Sequence, residues 1–406
     1  MENKTIKHWL VVIILSGMAA SSIGICNNAV GVFYTPVSLS LHVLKGTFAF
    51  HATLSLLATA VTSLFMVKIM HTYKYKSVLF IGVLMATLST IGMAYSKSMI
   101  LFYIFGIIRG IGAGMYAMVP ITFIITNWFD EKHGLATSIA LCFSGLSGAI
   151  CSPILSNCIS LYGWQNSYLI MAGFILLFAL PALIYPFTIY PKQSNLLPYG
   201  YVQKEEKIEV KKTKFNYLTI AFICMAVFTV LHTSITGITQ HLSSYAVSLS
   251  LTTQIGATMM SFTMVGNIVS KLIIGFISDY LKPLKACIIM MLVNVFSLIL
   301  FIKGGQTSNV NMLLIASFLF GSVYSVGAVG IPLLTKYFFG VDNFAAVYSK
   351  IGFLTSVGSS LSLTIIGYIY DFTGGYLMAF VGVIIFHIIN LCLLFIINKH
   401  RVVSNT

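Results

Sequence analysis

Acidic side chains are scarce in this sequence, and none lies in the middle of an apolar run. The nine carboxylates, Glu2, Asp130, Glu131, Glu205, Glu206, Glu209, Asp279, Asp342 and Asp371, fall at hydrophilic breaks or at the ends of apolar segments. Charge of either sign is sparse: 8% of the 406 residues are charged and 58% are hydrophobic. A soluble chain needs roughly 25% charged residues to coat its surface, so this composition excludes a soluble protein. The net charge of +14 comes without a basic stripe interleaved with exposed aromatics, which argues against nucleic acid as a partner. The seven cysteines form no C-x-x-C pair and no Cys/His cluster with ligand spacing, so no metal is expected. Cys151 and Cys158 share a helical face, but about 10 Å of rigid helix separates them, too far for a disulfide. The sequence has no Walker-type phosphate loop and no catalytic constellation, which excludes an ATP-driven pump and points away from an enzyme or a cofactor.

What the sequence has in abundance is long apolar segments. A hydrocarbon core takes about 20 residues of helix. Breaking the chain at its Lys, Pro/Gly and Asn/Asp clusters gives spans at about 9–36, 47–68, 77–96, 99–126, 134–161, 166–190, 216–244, 252–278, 284–303, 311–336, 343–369 and 376–398. The expected fold is an all-α membrane protein of twelve transmembrane helices. The first segment, after Lys4 and Lys7, could mimic a secretory signal, but it continues to about Pro36 and reads as an inserted span. With the N-terminus inside, seventeen Lys/Arg fall on inner loops and tails, and only Lys45, Lys97 and Lys303 fall outside. That bias predicts two cytoplasmic termini.

Pro191 to Lys214, with the run KEEKIEVKKTK, is the one long polar stretch. It divides the chain into bundles at 1–190 and 215–406, with 191–214 as a cytoplasmic linker. The bundles echo each other. WFDEKHGLATSIALCFSGLSGAI followed by LYGW resembles YFFGVDNFAAVYSKIGFLTSVGSSL followed by DFTGGY, and Gly148 matches Gly358 at an offset of 210. Two pseudo-symmetric six-helix bundles related this way, with a site at the midplane between them, are the architecture of alternating-access carriers.

Three cations interrupt the apolar segments: Arg109, Lys271 and Lys350. Intramembrane charge is costly and usually lines a pathway, pairs with a partner or snorkels to the interface. Lys271 precedes Asp279 by eight residues and Lys350 follows Asp342 by eight, which places both about 12 Å from the inner face at 1.5 Å per residue. Arg109 has no interface within reach, and a structural role bonded to backbone carbonyls is its rival reading. Tyr116 lies two turns from Arg109 on the same face, and Asn27 and Asn28 are amides at depth in the first span. Thr229, His232, Thr236 and Gln240 form one polar stripe on the seventh span, either a cavity lining or interhelical bonding, and His232 is the group most able to titrate near neutrality. The stripe His51, Ser55, Thr59 and Thr62 on the second span reads as a contact between the halves. Gly145, Gly148 and Pro153, with Gly352 and Gly358, read as sites of close packing and bending.

Several motifs together carry a family resemblance: NNAVGVFYTPVSLSL in the first span, RGIGAGMY in the fourth, NWFDEKHGLATSIA into the fifth, NLLPYG before the linker, GNIVSKLIIGFISD in the eighth and GYIYDFTGGY after the eleventh. In this order they resemble the major facilitator superfamily, and within it the oxalate/formate antiporters and bacterial monocarboxylate transporters. The resemblance implies a substrate-binding cation on the eighth span at Lys271, where the family usually has Arg. It also implies a second cation near Lys350, and substrate-bonding tyrosines at Tyr116 and Tyr324. Where proton-coupled members carry Asp one turn before the cation, this chain has Asn267. The loop GFISDYLKPLK resembles the superfamily's cytoplasmic latch, with Gly275, Asp279, Lys282 and Lys285, whereas the first-half counterpart MVKIMHTYKYK has lost its Gly and Asp.

The expected function is secondary transport of a small organic anion, a mono- or dicarboxylate, at the plasma membrane by a monomer. Anion exchange is the leading mode and proton symport the alternative. The substrate site is expected to draw on Lys271, Arg109, Tyr116, Tyr324, Lys350, Asn28, His232 and Asn267. A non-transporting sensor is a lesser alternative, and export of cations is disfavoured because no span carries an acid.

Overall fold

The structure, a computed structural model, describes residues 2–201 and 215–400. The run KEEKIEVKKTK lies outside the described residues. Among those described, ten helical stretches are long and apolar enough to cross a membrane. They are α1 Ile6–Ser40, α2 Lys45–Thr72, α3 Tyr75–Ala94, α4 Met99–Trp128, α5 His133–Ile184, α6 Ile220–Ser248, α7 Thr253–Gln306, α8 Val310–Gly340, α9 Val347–Thr373 and α10 Leu377–Lys399. Stretches α5 and α7 run 52 and 54 residues, more than twice what a bilayer needs. Each contains one residue that is not helical, Gly163 at φ 79°, ψ 164° and Lys282 at φ 70°, ψ 151°. These breaks fall where two of the expected loops lie, so α5 and α7 each cover two expected spans.

Gly163 takes its positive φ without a Cβ penalty. Lys282 does not: a side chain in that region costs on the order of 1–3 kcal/mol, and the following Pro283 restricts it further. The strained residue sits inside the latch-like loop, next to exposed Asp279 and before exposed Lys285. A Cβ added at Gly275 would meet open space.

The contacts divide the chain into two units, Met1–Val43 with Phe50–Lys207, and Leu44–Ala49 with Ile208–Thr406. In the first, glycines let α4 lie against α2. A Cβ at Gly106 would stand 2.6 Å from the His51 carbonyl oxygen, one at Gly110 2.1 Å from that of Ser55, and one at Gly114 2.8 Å from Thr62 Cβ. Thr59 Oγ1 donates to the Gly110 carbonyl at 2.9 Å. Within unit 1, the stripe His51, Ser55, Thr59 and Thr62 is matched to these glycines. Close approach of backbones is the main source of helix association in lipid, where apolar surface alone gives no preference for protein over tails.

Unit 2 uses the same device. A Cβ at Gly266 would stand 1.8 Å from the Phe318 carbonyl oxygen and one at Gly321 2.3 Å from the Asn267 nitrogen, which locks α7 to α8. A Cβ at Gly358 would meet Thr233 Oγ1 at 2.4 Å, as close packing requires, whereas one at Gly352 would meet nothing. The start of α2 belongs to this unit. There Asp371 accepts from the backbone N–H groups of Lys45 at 3.1 Å and Gly46 at 2.8 Å, and Lys45 Nζ lies 3.6 Å over the Tyr370 ring. A carboxylate from α9 thereby satisfies two of the orphan donors that begin a helix.

The first part of the expected linker is held against unit 1. Tyr199 donates its N–H to the Trp128 carbonyl at 2.8 Å and accepts from the N–H groups of Asp130 and Glu131. His8 Nε2 donates to the Leu197 carbonyl at 2.8 Å, and His8, Trp9, Phe129 and Tyr199 pack as an aromatic cluster. The motifs NLLPYG and NWFDEKHG are thus two sides of one packed feature.

Candidate substrate site

Three of the expected site residues, Asn28, Tyr116 and Tyr324, lie where helices lose regularity. In unit 1, α1 passes through a π-helical segment, Ala20–Asn28, and a 3-10 segment, Val30–Phe33. Stretch α4 breaks between Gly114 and Met118. In unit 2, α6 breaks between Ser234 and Gly237, and α8 passes from Phe320 through a short helix, Ser322–Ser325, into a π-helical segment, Val326–Gly330. The breaks recur at the offset of about 210 found in the sequence. Discontinuous helices free backbone groups at membrane depth, and π-bulges concentrate at functional sites.

In unit 1, Arg109 is completely buried. Its guanidinium reaches the Met93 sulfur at 3.6 Å, while its Nε meets no acceptor among the described residues. Its charge acts on Tyr34, Tyr168 and Cys26. No described carboxylate forms an ion pair with it. The rival role, a hub bonded to backbone carbonyls, has no such bond among the described residues. Tyr168 stacks on Phe33 at 4.1 Å between ring centroids, and its hydroxyl has no hydrogen-bond partner among the described residues. Tyr116 is also fully buried, its hydroxyl 3.1 Å from Ser21 Oγ, which ties the break in α4 to the π-segment of α1. Asn28 donates to the Ser144 carbonyl at 3.0 Å.

In unit 2, Lys271 lies one turn beyond Asn267 on α7, and the pair shares a face. Asn267 is buried and its Oδ1 meets no donor among the described residues. Ser270 Oγ donates to the Gly321 carbonyl at 3.1 Å, which brings this face to the broken part of α8 that carries Tyr324. His232 Nε2 donates to the Val323 carbonyl at 3.0 Å, so His232 and Asn267 flank the irregular segment that carries Tyr324. Lys271 and Tyr324 are partly exposed, and Lys350, on α9, is exposed.

Sequence reasoning passed over several buried polar groups. Tyr34 and Tyr168 lie within electrostatic reach of Arg109, Ser21 holds Tyr116, and Asn294 and His387 form a hydrogen bond of 2.8 Å close to His232. Asn294 and His387 are isolated polar residues in apolar runs, whereas Ser21, Tyr34 and Tyr168 stand beside other polar residues and draw no notice. The only available signal was the pair His387 and Asn390 at i, i+3 in the last span.

Comparison with known proteins agrees with this architecture. The family model of the Major Facilitator Superfamily matches residues 10–302. Monocarboxylate transporter 12 of Xenopus laevis is 25% identical over 325 residues, covering 74% of this chain and 69% of that protein. Its human counterpart is 24% identical, covering 74% of this chain and 63% of that protein. The match thus spans about two thirds of the length of these relatives. Among solved structures, a bacterial homolog of the human lysosomal transporter Spinster superposes with a TM-score of 0.76 at 13% identity, covering 98% of this chain and 99% of that one. A D-xylose-proton symporter superposes with a TM-score of 0.69 at 14% identity, covering 97% of each chain.

Proposed function

We propose, from the premise that this chain belongs to the Major Facilitator Superfamily, that this multi-pass membrane carrier transports a small organic anion, a mono- or dicarboxylate, by alternating access. The observation that carries the reading is Arg109, a wholly buried cation that no described carboxylate neutralises, on a chain whose other intramembrane cations are Lys271 and Lys350. Burying charge without a partner is costly, and a bound carboxylate supplies the missing counter-charge. The relatives named as monocarboxylate transporters support the same substrate class.

Lys271 is the group assigned to the substrate carboxylate, with Asn267 and Tyr324 as hydrogen-bonding neighbours. In unit 1, Arg109, Tyr116 and Asn28 are the assigned contributors. Asp279, Lys282, Lys285 and Gly275 are assigned to a cytoplasmic latch, whose strained Lys282 would relax if the loop rearranged. Twelve spans, cytoplasmic termini, a monomeric state and a plasma-membrane location complete the reading.

Exchange is the mode that the electrostatics favour. An empty carrier that occludes Arg109 desolvates a charge that no described carboxylate offsets, whereas an anion-loaded one supplies the offset. The test uses purified protein in liposomes with radiolabelled formate, lactate, pyruvate and oxalate in turn outside. Preloading the same anion inside should accelerate uptake several-fold. Uptake indifferent to preloading removes exchange, and absence of uptake for every carboxylate removes the substrate class. Proton symport is a second reading, favoured by two of the buried histidines in unit 2, His232 and His387.

A further inference from the structure

Those histidines are His232 on α6 and His387 on α10, both completely buried, with ring centroids 6.2 Å apart and planes at 72°. Their partners fix their tautomers. His232 Nε2 lies 3.0 Å from the Val323 carbonyl oxygen, which can only accept, so Nε2 carries the proton. Asn294 uses its amide nitrogen to donate to the Phe320 carbonyl at 3.0 Å, which turns its Oδ1 toward His387 Nε2 at 2.8 Å. That nitrogen must donate as well. Both imidazoles are therefore Nε2–H tautomers, and both keep a basic lone pair on Nδ1. Neither Nδ1 has a hydrogen-bond partner among the described residues.

Two further groups share the neighbourhood. Thr229 lies one turn before His232 and Asn390 one turn after His387, each on the same helix face as its histidine. Both are completely buried, and neither the Thr229 hydroxyl nor either atom of the Asn390 amide has a partner among the described residues. Buried polar groups are normally satisfied, and four side chains that are not, on two packed helices, mark a site whose occupant is missing from the protein's own bonding.

We propose that His232 and His387 form a proton-binding site that takes up one proton per carrier. The proton adds to the lone pair of one Nδ1, forming an N–H bond and breaking none, and leaves that ring with a charge of +1. The acceptors assigned to the new donor are the Thr229 hydroxyl and the Asn390 Oδ1, one turn away on the same helix faces and without partners among the described residues. A second proton would set two cations side by side in apolar surroundings, so the pair titrates as one unit that stops at one. His232 also stacks on Phe228 at 5.8 Å with planes 13° apart, a ring face that favours a cationic imidazole.

Among the described residues of unit 2, no other charged group acts on either ring. Of the titratable groups on α7, Cys287 lies in the apolar cluster that also holds Phe228, Asp279 is exposed and Lys271 is partly exposed. On α8, Tyr324 follows the residue that binds His232, and Lys336 is exposed. On α9, Lys350 is exposed and Asp371 is engaged with the start of α2. Further along α6, His241 has its own partners, the Leu363 carbonyl and the Tyr376 hydroxyl.

This inference deepens the carrier reading, since a proton bound in unit 2 would offset the charge of a carboxylate moved with it. It rests on that reading only for its purpose and not for its chemistry. The test is therefore made without substrate. Full-length protein labelled with 15N-histidine, in lipid nanodiscs, is titrated from pH 8 to pH 3 by NMR, with His232→Gln and His387→Gln assigning the two rings. The expected result is two lone-pair Nδ1 signals at pH 8, loss of one equivalent of lone-pair signal across the pair at low pH, and a shift of each ring's midpoint when the other is replaced. Thr229→Val, which keeps both rings and the shape, should lower the midpoint by removing an acceptor, and it stands in if either glutamine variant fails to fold. Lone-pair signals that persist on both rings to pH 3, two protons taken up, or an unchanged midpoint in the variants would overturn the proposal. Failure of carboxylate uptake in liposomes, with this titration intact, would instead remove the anion-carrier reading alone.

Discussion

Replacing Arg109 with Met separates the two roles open to a buried cation. If the guanidinium were a structural hub, its loss would leave its acceptors unpaired and cost about 1–3 kcal/mol for each strong bond. The structure gives it the Met93 sulfur at 3.6 Å as a hydrogen-bond acceptor, a weak one, and leaves Nε without any among the described residues. The desolvation penalty of a charge held this way is several kcal/mol. Exchanging buried ions for apolar groups of similar volume has stabilised other proteins by about 1–4 kcal/mol, and a gain in that range is expected for Arg109→Met. The assay is thermal unfolding of purified protein in detergent, paired with carboxylate uptake in liposomes. The expected outcome is a raised midpoint and a lost or strongly reduced uptake. A lowered midpoint would refute the claim that Arg109 is an uncompensated charge kept for a ligand, and a raised midpoint with undiminished uptake would remove it from the site.

Other substitutions test the remaining links. Lys271→Ala should abolish uptake while Lys271→Arg retains part of it, because the carboxylate needs the charge more than its shape; undiminished transport by the Ala variant removes Lys271 from the site. Gly266→Ala forces a methyl to 1.8 Å from the Phe318 carbonyl oxygen, so α7 and α8 must separate, and a loss of about 1–3 kcal/mol is expected in chemical denaturation. Asp371→Asn should cost about 0.5–2 kcal/mol by weakening the carboxylate cap at Lys45 and Gly46, read as a lower unfolding midpoint, whereas Asp371→Glu should cost less.

The fold was largely legible because a bilayer writes its thickness into the chain. The expected spans match the helical stretches within a few residues at most ends, and the breaks at Gly163 and Lys282 fall where Tyr-Gly-Trp and Asp-Tyr-Leu-Lys-Pro interrupt the apolar pattern. Helical periodicity, however, reports which residues share a face and not what that face meets. The stripe from His51 to Thr62 was seen as a stripe, but its partner glycines on α4 could be identified only once backbones were placed. The same gap hid the docking of Tyr199 on Trp128, since a polar, Pro-rich stretch reads as a tether until its N–H and carbonyl groups are accounted for. The candidate site was half legible. Arg109, Lys271 and His232 stand out because charge or imidazole in an apolar run is conspicuous. His387 and Asn294 did not, because their significance lies in a hydrogen bond across 93 residues of sequence that fixes a tautomer.

The central claim is that the cations of this carrier serve a negatively charged substrate. Its most direct test is equilibrium binding to the purified protein, by thermal stabilisation against formate, lactate, pyruvate, oxalate, larger acids, and neutral and cationic solutes of matched size. The account predicts stabilisation by at least one carboxylate, none by its amide, and loss of the effect in Lys271→Ala. Stabilisation by a neutral sugar or a cation with no response to any carboxylate would contradict it.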